Sequence, residues 1–208
     1  MKPVRTITGV AAPLPLANVD TDVIIRIEKL AQCPREHLGR WALEPLRFLA
    51  DGSENPGFIL NQAGWREASI LVTGPNFACG SSREHAVWAL QGLGIGCLIA
   101  PSYGDIFRNN CYQNGLLPIQ LPPDQVEWLL DRLEQSRRRG QPVQLVVDLE
   151  NGVVQWPGQW QAAFHIDPRR RQALLQGLDA IDSTRTMLPR IAEWQERDRA
   201  MRPWIWMD

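Results

Sequence analysis

The chain has 208 residues, 44% of them hydrophobic and 22% charged, with a net charge of −1. That is enough for one ordinary folded domain, and it leaves no broad electrostatic attraction to nucleic acid or an anionic membrane. No stretch reaches membrane-spanning length without charge or proline, and the start lacks the apolar core of a signal peptide, so a cytoplasmic location is the expectation.

In chain order, residues 5–11 are β-prone and end at a proline-rich turn around Pro13 and Pro15. Residues 26–56 have no clear period, being interrupted by Pro34, Pro45, Pro56 and the turn Asp51-Gly52-Ser53. Residues 58–61 and 69–73 read as strands. A helix over 82–91, a strand over 96–100, a helix over 105–114 and a strand over 116–121 then alternate. That alternation predicts βαβ units with parallel strands. Pro123 opens a further helix, whose Val126, Leu129, Leu130 and Leu133 make one apolar stripe up to Gly140. Asn151-Gly152 between residues 143–150 and 153–156 is a hairpin signal. A strand over 160–166 and a helix over 168–177 follow, and residues 188–208 form a helical tail. Its Trp194, Trp204 and Trp206 are expected to pack on the domain or on a partner. The arginine triplets at 137–139 and 169–171 read as solvated helix faces. The expectation is α/β: a parallel-strand βαβ core with a small β-hairpin element and a helical C-terminal tail, in one domain spanning 1–208.

Four cysteines (Cys33, Cys79, Cys97, Cys111) and three histidines (His37, His85, His165) are scattered, with no Cys-x-x-Cys pair. This is not ligand spacing for zinc or a local iron–sulfur cluster, so any metal the protein uses is expected on a partner.

The densest chemistry lies in Gly74-Pro-Asn-Phe-Ala-Cys-Gly-Ser-Ser-Arg-Glu-His85, directly after an apolar strand. A predicted helix start there offers free backbone N–H groups and a partial positive charge, and Arg83 adds a fork suited to carboxylates. Ser81 and Glu84 have capping-box spacing, which is sufficient reason for both residues. The functional alternative is a hydroxyl activated in that field. Gly-x-Ser-x-Gly is absent, which disfavours a serine hydrolase. Cys79 reads as a packing residue more readily than as a thiolate nucleophile. Asp20 and Asp22 either cap turns or orient a base such as Arg83.

Three strings together carry a resemblance. They are Asn18-Val19-Asp20-Thr21-Asp22-Val23-Ile24-Ile25, Asn76 through Ala86, and Asp105-Ile106-Phe107-Arg108-Asn109-Asn110-Cys111 with Asn114-Gly115-Leu116-Leu117-Pro118. Their order resembles the 3-isopropylmalate dehydratase small subunits of the aconitase superfamily. The resemblance implies a swivelling β/β/α domain and a separate large subunit carrying a [4Fe–4S] cluster, with no cofactor held by this chain. It implies a hydro-lyase reaction interconverting 2- and 3-isopropylmalate in leucine biosynthesis, on a small 2-hydroxy dicarboxylic acid. Carried over residue by residue, Ser81 is the catalytic base, Ser82 and Arg83 bind a substrate carboxylate, and Arg35 binds a further one. Asp22 and His85 support the site, and residues 26–56 form the substrate-recognition region.

Departures from the family pattern sit mainly in that region. Arg26 replaces a proline, Lys29-Leu30 replaces an aromatic-leucine pair, and Glu36-His37-Leu38-Gly39 replaces a Gly-Phe-Gly turn. Ala78 stands where a glycine is common. A related hydro-lyase for citramalate-like or dimethylmalate-like acids is therefore the alternative, and a non-catalytic binding domain is a further one.

Overall fold

A computed structural model describes residues 1–31, 33–80 and 83–206. Among these, seven strands form one sheet in the order β4-β3-β2-β1-β5-β6-β7. They are β1 (Thr6–Leu14), β2 (Ile70–Thr73), β3 (Cys97–Ala100), β4 (Leu117–Gln120), β5 (Gln144–Asp148), β6 (Val153–Trp156) and β7 (Trp160–Ala163). β1 does two jobs. Its second half, Ala11 to Leu14, runs parallel to β2, and its first half, Thr6 to Val10, runs antiparallel to β5. The predicted β-hairpin is present as β5 and β6, and β5, β6 and β7 continue the same sheet.

The described helices are α1 (Thr21–Ile24), α2 (Ile27–Leu30), α3 (Glu44–Arg47), α4 (His85–Gly92), α5 (Asp105–Asn114), α6 (Pro123–Arg138), α7 (Pro168–Gln176), α8 (Ala180–Arg185) and α9 (Leu188–Met201), with tight 3-10 turns at Arg35–Trp41, Ile59–Asn61 and Pro203–Ile205. The central strands Ile-Leu-Val-Thr and Cys-Leu-Ile-Ala are buried at every residue. Burial on both faces explains why they lack polar alternation. Leu71 and Leu98 join one core with α4 and the Arg35–Trp41 turn, while Ile70, Val72, Cys97 and Ile99 join another with α6.

The Arg35–Trp41 turn packs on α4 through two glycines. A Cβ on Gly39 would stand 2.2 Å from the Gly92 carbonyl carbon, and one on Gly92 would stand 2.9 Å from the Gly39 nitrogen. Backbone thus meets backbone, and residues 35–41 are brought onto the helix that follows the Ser81–Arg83 string.

Two expectations are corrected. Residues 58–61 are not a strand. Asn61 and Gln62 bond back to the Phe58 and Ile59 carbonyls, and the Asn61 amide ties down Arg47 O (2.6 Å) and Asn55 O (2.9 Å). An apolar run this short does not fix its period, and the local loop closure decides it. The helix predicted over 82–91 begins at His85, with Glu84 as its cap. Of the tail's tryptophans, expected on the domain or on a partner, Trp194 and Trp204 are 51% and 65% exposed on this chain, which leaves the second alternative for them.

Candidate active site

The three strings singled out in the sequence meet at the carboxyl ends of β1, β2 and β3. After β2 the chain turns with Asn76 (φ 57°) and Ala78 (φ 55°) in the left-handed region. Such a conformation costs a non-glycine residue about 1–2 kcal/mol. That is the physical reason glycine suits position 78, and alanine is the smallest side chain that can replace it. Neighbouring backbone holds the turn in place. Phe77 N bonds Ser102 O (3.1 Å) and Gly104 N bonds Phe77 O (2.9 Å). Gly104 passes so close that a Cβ there would lie 2.4 Å from Ala78 O.

The first string is stitched to the same turn. Cys79 N donates to Val19 O (3.3 Å), Thr21 N donates to Cys79 O (3.1 Å), and Asn76 Nδ2 donates to Asn18 Oδ1 (2.9 Å). Asp20 caps α1, its Oδ1 accepting from the N–H groups of Asp22 (2.7 Å) and Val23 (3.0 Å). That cap sets the direction of Asp22, whose carboxylate pairs with Arg83 through both oxygens: Nη1 with Oδ1, and Nη2 with Oδ2 at 2.9 Å. Arg83 Nη1 also donates to Ile25 O (3.2 Å). The hydrogen bonds from Arg83, with its charge, hold the Asp22 carboxyl below the usual range against a smaller opposing effect of burial. The same pair holds Arg83 more firmly protonated.

Ser81 and Ser82 lie outside the described residues. Glu84 stands at the N-cap of α4 without a side-chain cap hydrogen bond; its Oε1 accepts instead from Asn114 Nδ2 at 2.6 Å. The His85 ring stands edge-on to Trp88 at 4.7 Å. Arg35 lies over the same indole, 4.3 Å from its centroid, and donates to Asn114 Oδ1 at 3.4 Å.

Two groups of side chains therefore flank the start of α4: Asp22 with Arg83, and Arg35 with His85, Trp88 and Asn114. Sequence reading missed Trp88, and it quoted Asn114 without giving it a role. The available signal was spacing, because Glu84, Trp88 and Gln91 share one helical face.

The segment where the sequence departs from the family pattern is locally consistent. Glu44 faces Lys29 (3.3 Å) and Arg26 (3.9 Å), and Lys29 sits 3.5 Å over Trp41. An open hollow of about 860 Å³ is lined by Arg26, Arg40, Trp41 and Glu44 among others, but it does not include Asp22, Arg35 or Arg83. As for a resident metal, the cysteines do not fit a cluster. Cys97 and Cys111 are fully buried, with thiols that burial pushes up, and among the described residues no three of His, Cys, Asp and Glu gather to hold an ion.

Residues 1–124 match the family described as the aconitase C-terminal domain, which is the class this fold and site define. The 3-isopropylmalate dehydratase small subunit of Rhodospirillum rubrum is 52% identical over 206 residues, covering 99% of this chain and 97% of that one. The same-named subunit of Paramagnetospirillum magneticum is 46% identical over 205 residues, covering 99% and 100%. The chain belongs to the 3-isopropylmalate dehydratase small-subunit family. A solved 3-isopropylmalate dehydratase structure from Methanocaldococcus jannaschii shares the fold, with TM-score 0.65 and 22% identity over 90% of this chain and 98% of that one.

Proposed function

We propose that this chain is the small subunit of a 3-isopropylmalate dehydratase, acting as one swivelling domain over residues 1–208. With a large subunit it interconverts 2- and 3-isopropylmalate by dehydration and rehydration. The observation that carries this reading is the stitching of the Asn18–Asp22 string to the Cys79–Arg83 string, with Asp22 and Arg83 paired across them, in a chain similar over nearly its full length to named small subunits.

The reaction removes a proton from the carbon beside a carboxylate while a hydroxyl leaves the neighbouring carbon. Ser81 is the proposed proton-abstracting group. The charge of Arg83, two residues further along the chain, is the feature that would favour its ionised form, as fixed dipoles and charges do in such sites. Ser82 and Arg83 hold a substrate carboxylate, and Arg35 holds another. Arg83 arrives at this task already oriented: Asp22 and Ile25 O take part of its fork, so the substrate uses the donors they leave. His85 supports the arrangement by holding its ring against Trp88. Lewis acidity toward the departing hydroxyl is the chemistry expected of a [4Fe–4S] cluster on the large subunit.

The test is the reconstituted pair. Ser81→Ala, with folding and association unchanged, is expected to abolish turnover of isopropylmalate; full activity would remove Ser81 as the base. One observation favours a second reading. Residues 26–39 depart from the family pattern in the segment assigned to substrate recognition, with Arg26 and Lys29 held by Glu44 and Trp41, and that departure motivates a related acid of citramalate or dimethylmalate type. Comparing kcat/KM across these 2-hydroxy diacids decides between them, and a clear preference for isopropylmalate excludes the second.

A further inference from the structure

Asn114, the last residue of α5, occupies an unusual junction. Its Oδ1 accepts from Trp88 Nε1 (2.8 Å) and Arg35 Nη2 (3.4 Å), its Nδ2 donates to Glu84 Oε1 (2.6 Å) and Asn110 O (2.9 Å), and its backbone carbonyl accepts from Gln91 Nε2 (2.8 Å). Glu84, Trp88 and Gln91 are spaced i, i+4 and i+7, so a single face of α4 closes on this one residue.

The amide can point only one way. Indole and guanidinium nitrogens are donors without acceptor capacity, while an ionised carboxylate and a backbone carbonyl accept only. Turning the amide over would set donor against donor on one side and acceptor against acceptor on the other. Glu84 thus fixes the orientation that aims Oδ1 at Trp88 and Arg35. The oxygen in turn holds the guanidinium, which the indole face also attracts. Glu84 directly follows Arg83, so the same amide touches the helix start that carries the proposed catalytic string.

We propose that Asn114 is a positioning residue: through one oriented amide it fixes Arg35 relative to the start of α4 and so sets substrate affinity. This rests on the reading that Arg35 meets a substrate carboxylate. In the complex with the large subunit, Asn114→Leu is expected to raise the KM for isopropylmalate about three- to tenfold, the scale of one ordinary hydrogen bond, with kcat within about twofold. Arg35→Ala raises KM at least as much, and adding Asn114→Leu to it produces no further rise, because coupled residues are non-additive. Asn114→Asp sets a carboxylate against Glu84 and also raises KM. Adding Glu84→Gln restores a donor between them and returns KM toward wild type. An unchanged KM in Asn114→Leu, or additive effects with Arg35→Ala, would overturn the proposal. Should Asn114→Leu not fold, the swapped pair decides: recovery supports the proposal, and a KM as high as in Asn114→Asp overturns it.

A wild-type complex that does not turn over isopropylmalate would instead refute the proposed function. The positioning role is then read by NMR of the full chain, on the Trp88 indole N–H resonance identified by its loss in Trp88→Phe. Arg35→Ala should shift that resonance in the wild-type background, where Asn114 Oδ1 receives both donors, and shift it distinctly less in the Asn114→Leu background, where only the indole face retains the guanidinium. Equal shifts in both backgrounds overturn the inference.

Discussion

Asp22→Asn separates orientation of the site from stability of the fold. The amide has nearly the size of the carboxylate, but it keeps one acceptor oxygen and puts an NH₂ group against a guanidinium nitrogen that also donates. One of the two Asp22–Arg83 bonds is lost, together with the charge that holds the fork. The stability cost is small because Asp22's side chain is 56% exposed. Solvent screening limits such a pair to about 0.2–1 kcal/mol, and bidentate geometry puts it near the upper end. For a chain of this size about 1 kcal/mol lowers the thermal midpoint by roughly 2–4 °C. The activity cost is larger, since displacing a substrate-positioning group by about 1 Å can cost on the order of a hundredfold. Thermal unfolding of the chain alone and steady-state kinetics of the complex measure the two quantities.

The pH dependence supplies a third check. The folded-state pKa of Asp22 is depressed, chiefly by hydrogen bonding from Arg83. Its stabilisation is therefore fully present above the ordinary aspartate value of about 4 and is lost as pH falls through the lower folded value. The stability gap between wild type and Asp22→Asn should hold at neutral pH and close below about pH 4. Undiminished turnover in a folded Asp22→Asn complex, or a stability loss of several kcal/mol, would refute the reasoning.

Gly39→Ala drives a Cβ to 2.2 Å from the Gly92 carbonyl carbon; an overpacking cost of about 1–3 kcal/mol or more is expected in denaturant unfolding, with a raised KM because Arg35 lies on the displaced turn. Removing residues 188–208 should change stability by no more than about 1 kcal/mol, because Trp194, Met201, Trp204 and Ile205 are exposed and α9 packs chiefly on the short turn that follows it. A thermal midpoint several degrees lower would show that the tail is part of the core. Cys97 and Cys111 should resist a thiol reagent at pH 8 until the chain unfolds, since burial raises both thiols, whereas the half-buried Cys33 and Cys79 should react earlier. Timed labelling with mass spectrometry reads all four.

Much of the fold was legible in the chain because its signals are local. The apolar runs of β2 and β3, the stripe of α6 opened by Pro123, the α5 helix from Asp105 to Asn114, and the Asn151-Gly152 hairpin each follow from period, cap or turn chemistry over a few residues. So did the candidate site, because its residues cluster in short strings. Tertiary structure alone decided what those strings touch. Asp22 could have been a cap or an orienting group, and only the bridge between residues 19–21 and Cys79 brings its carboxylate onto Arg83, 61 residues away. Residues 58–61 could have been a strand until the Asn61 amide closed the loop over Arg47. Asn114 looked like the end of a helix, and its partners Arg35, Glu84 and Trp88 come from two other elements. Hydrophobic period and turn preference act between near neighbours in sequence. Side-chain hydrogen bonds act between whichever groups the packed sheet and helices bring within about 3 Å, and no one-dimensional pattern records that distance.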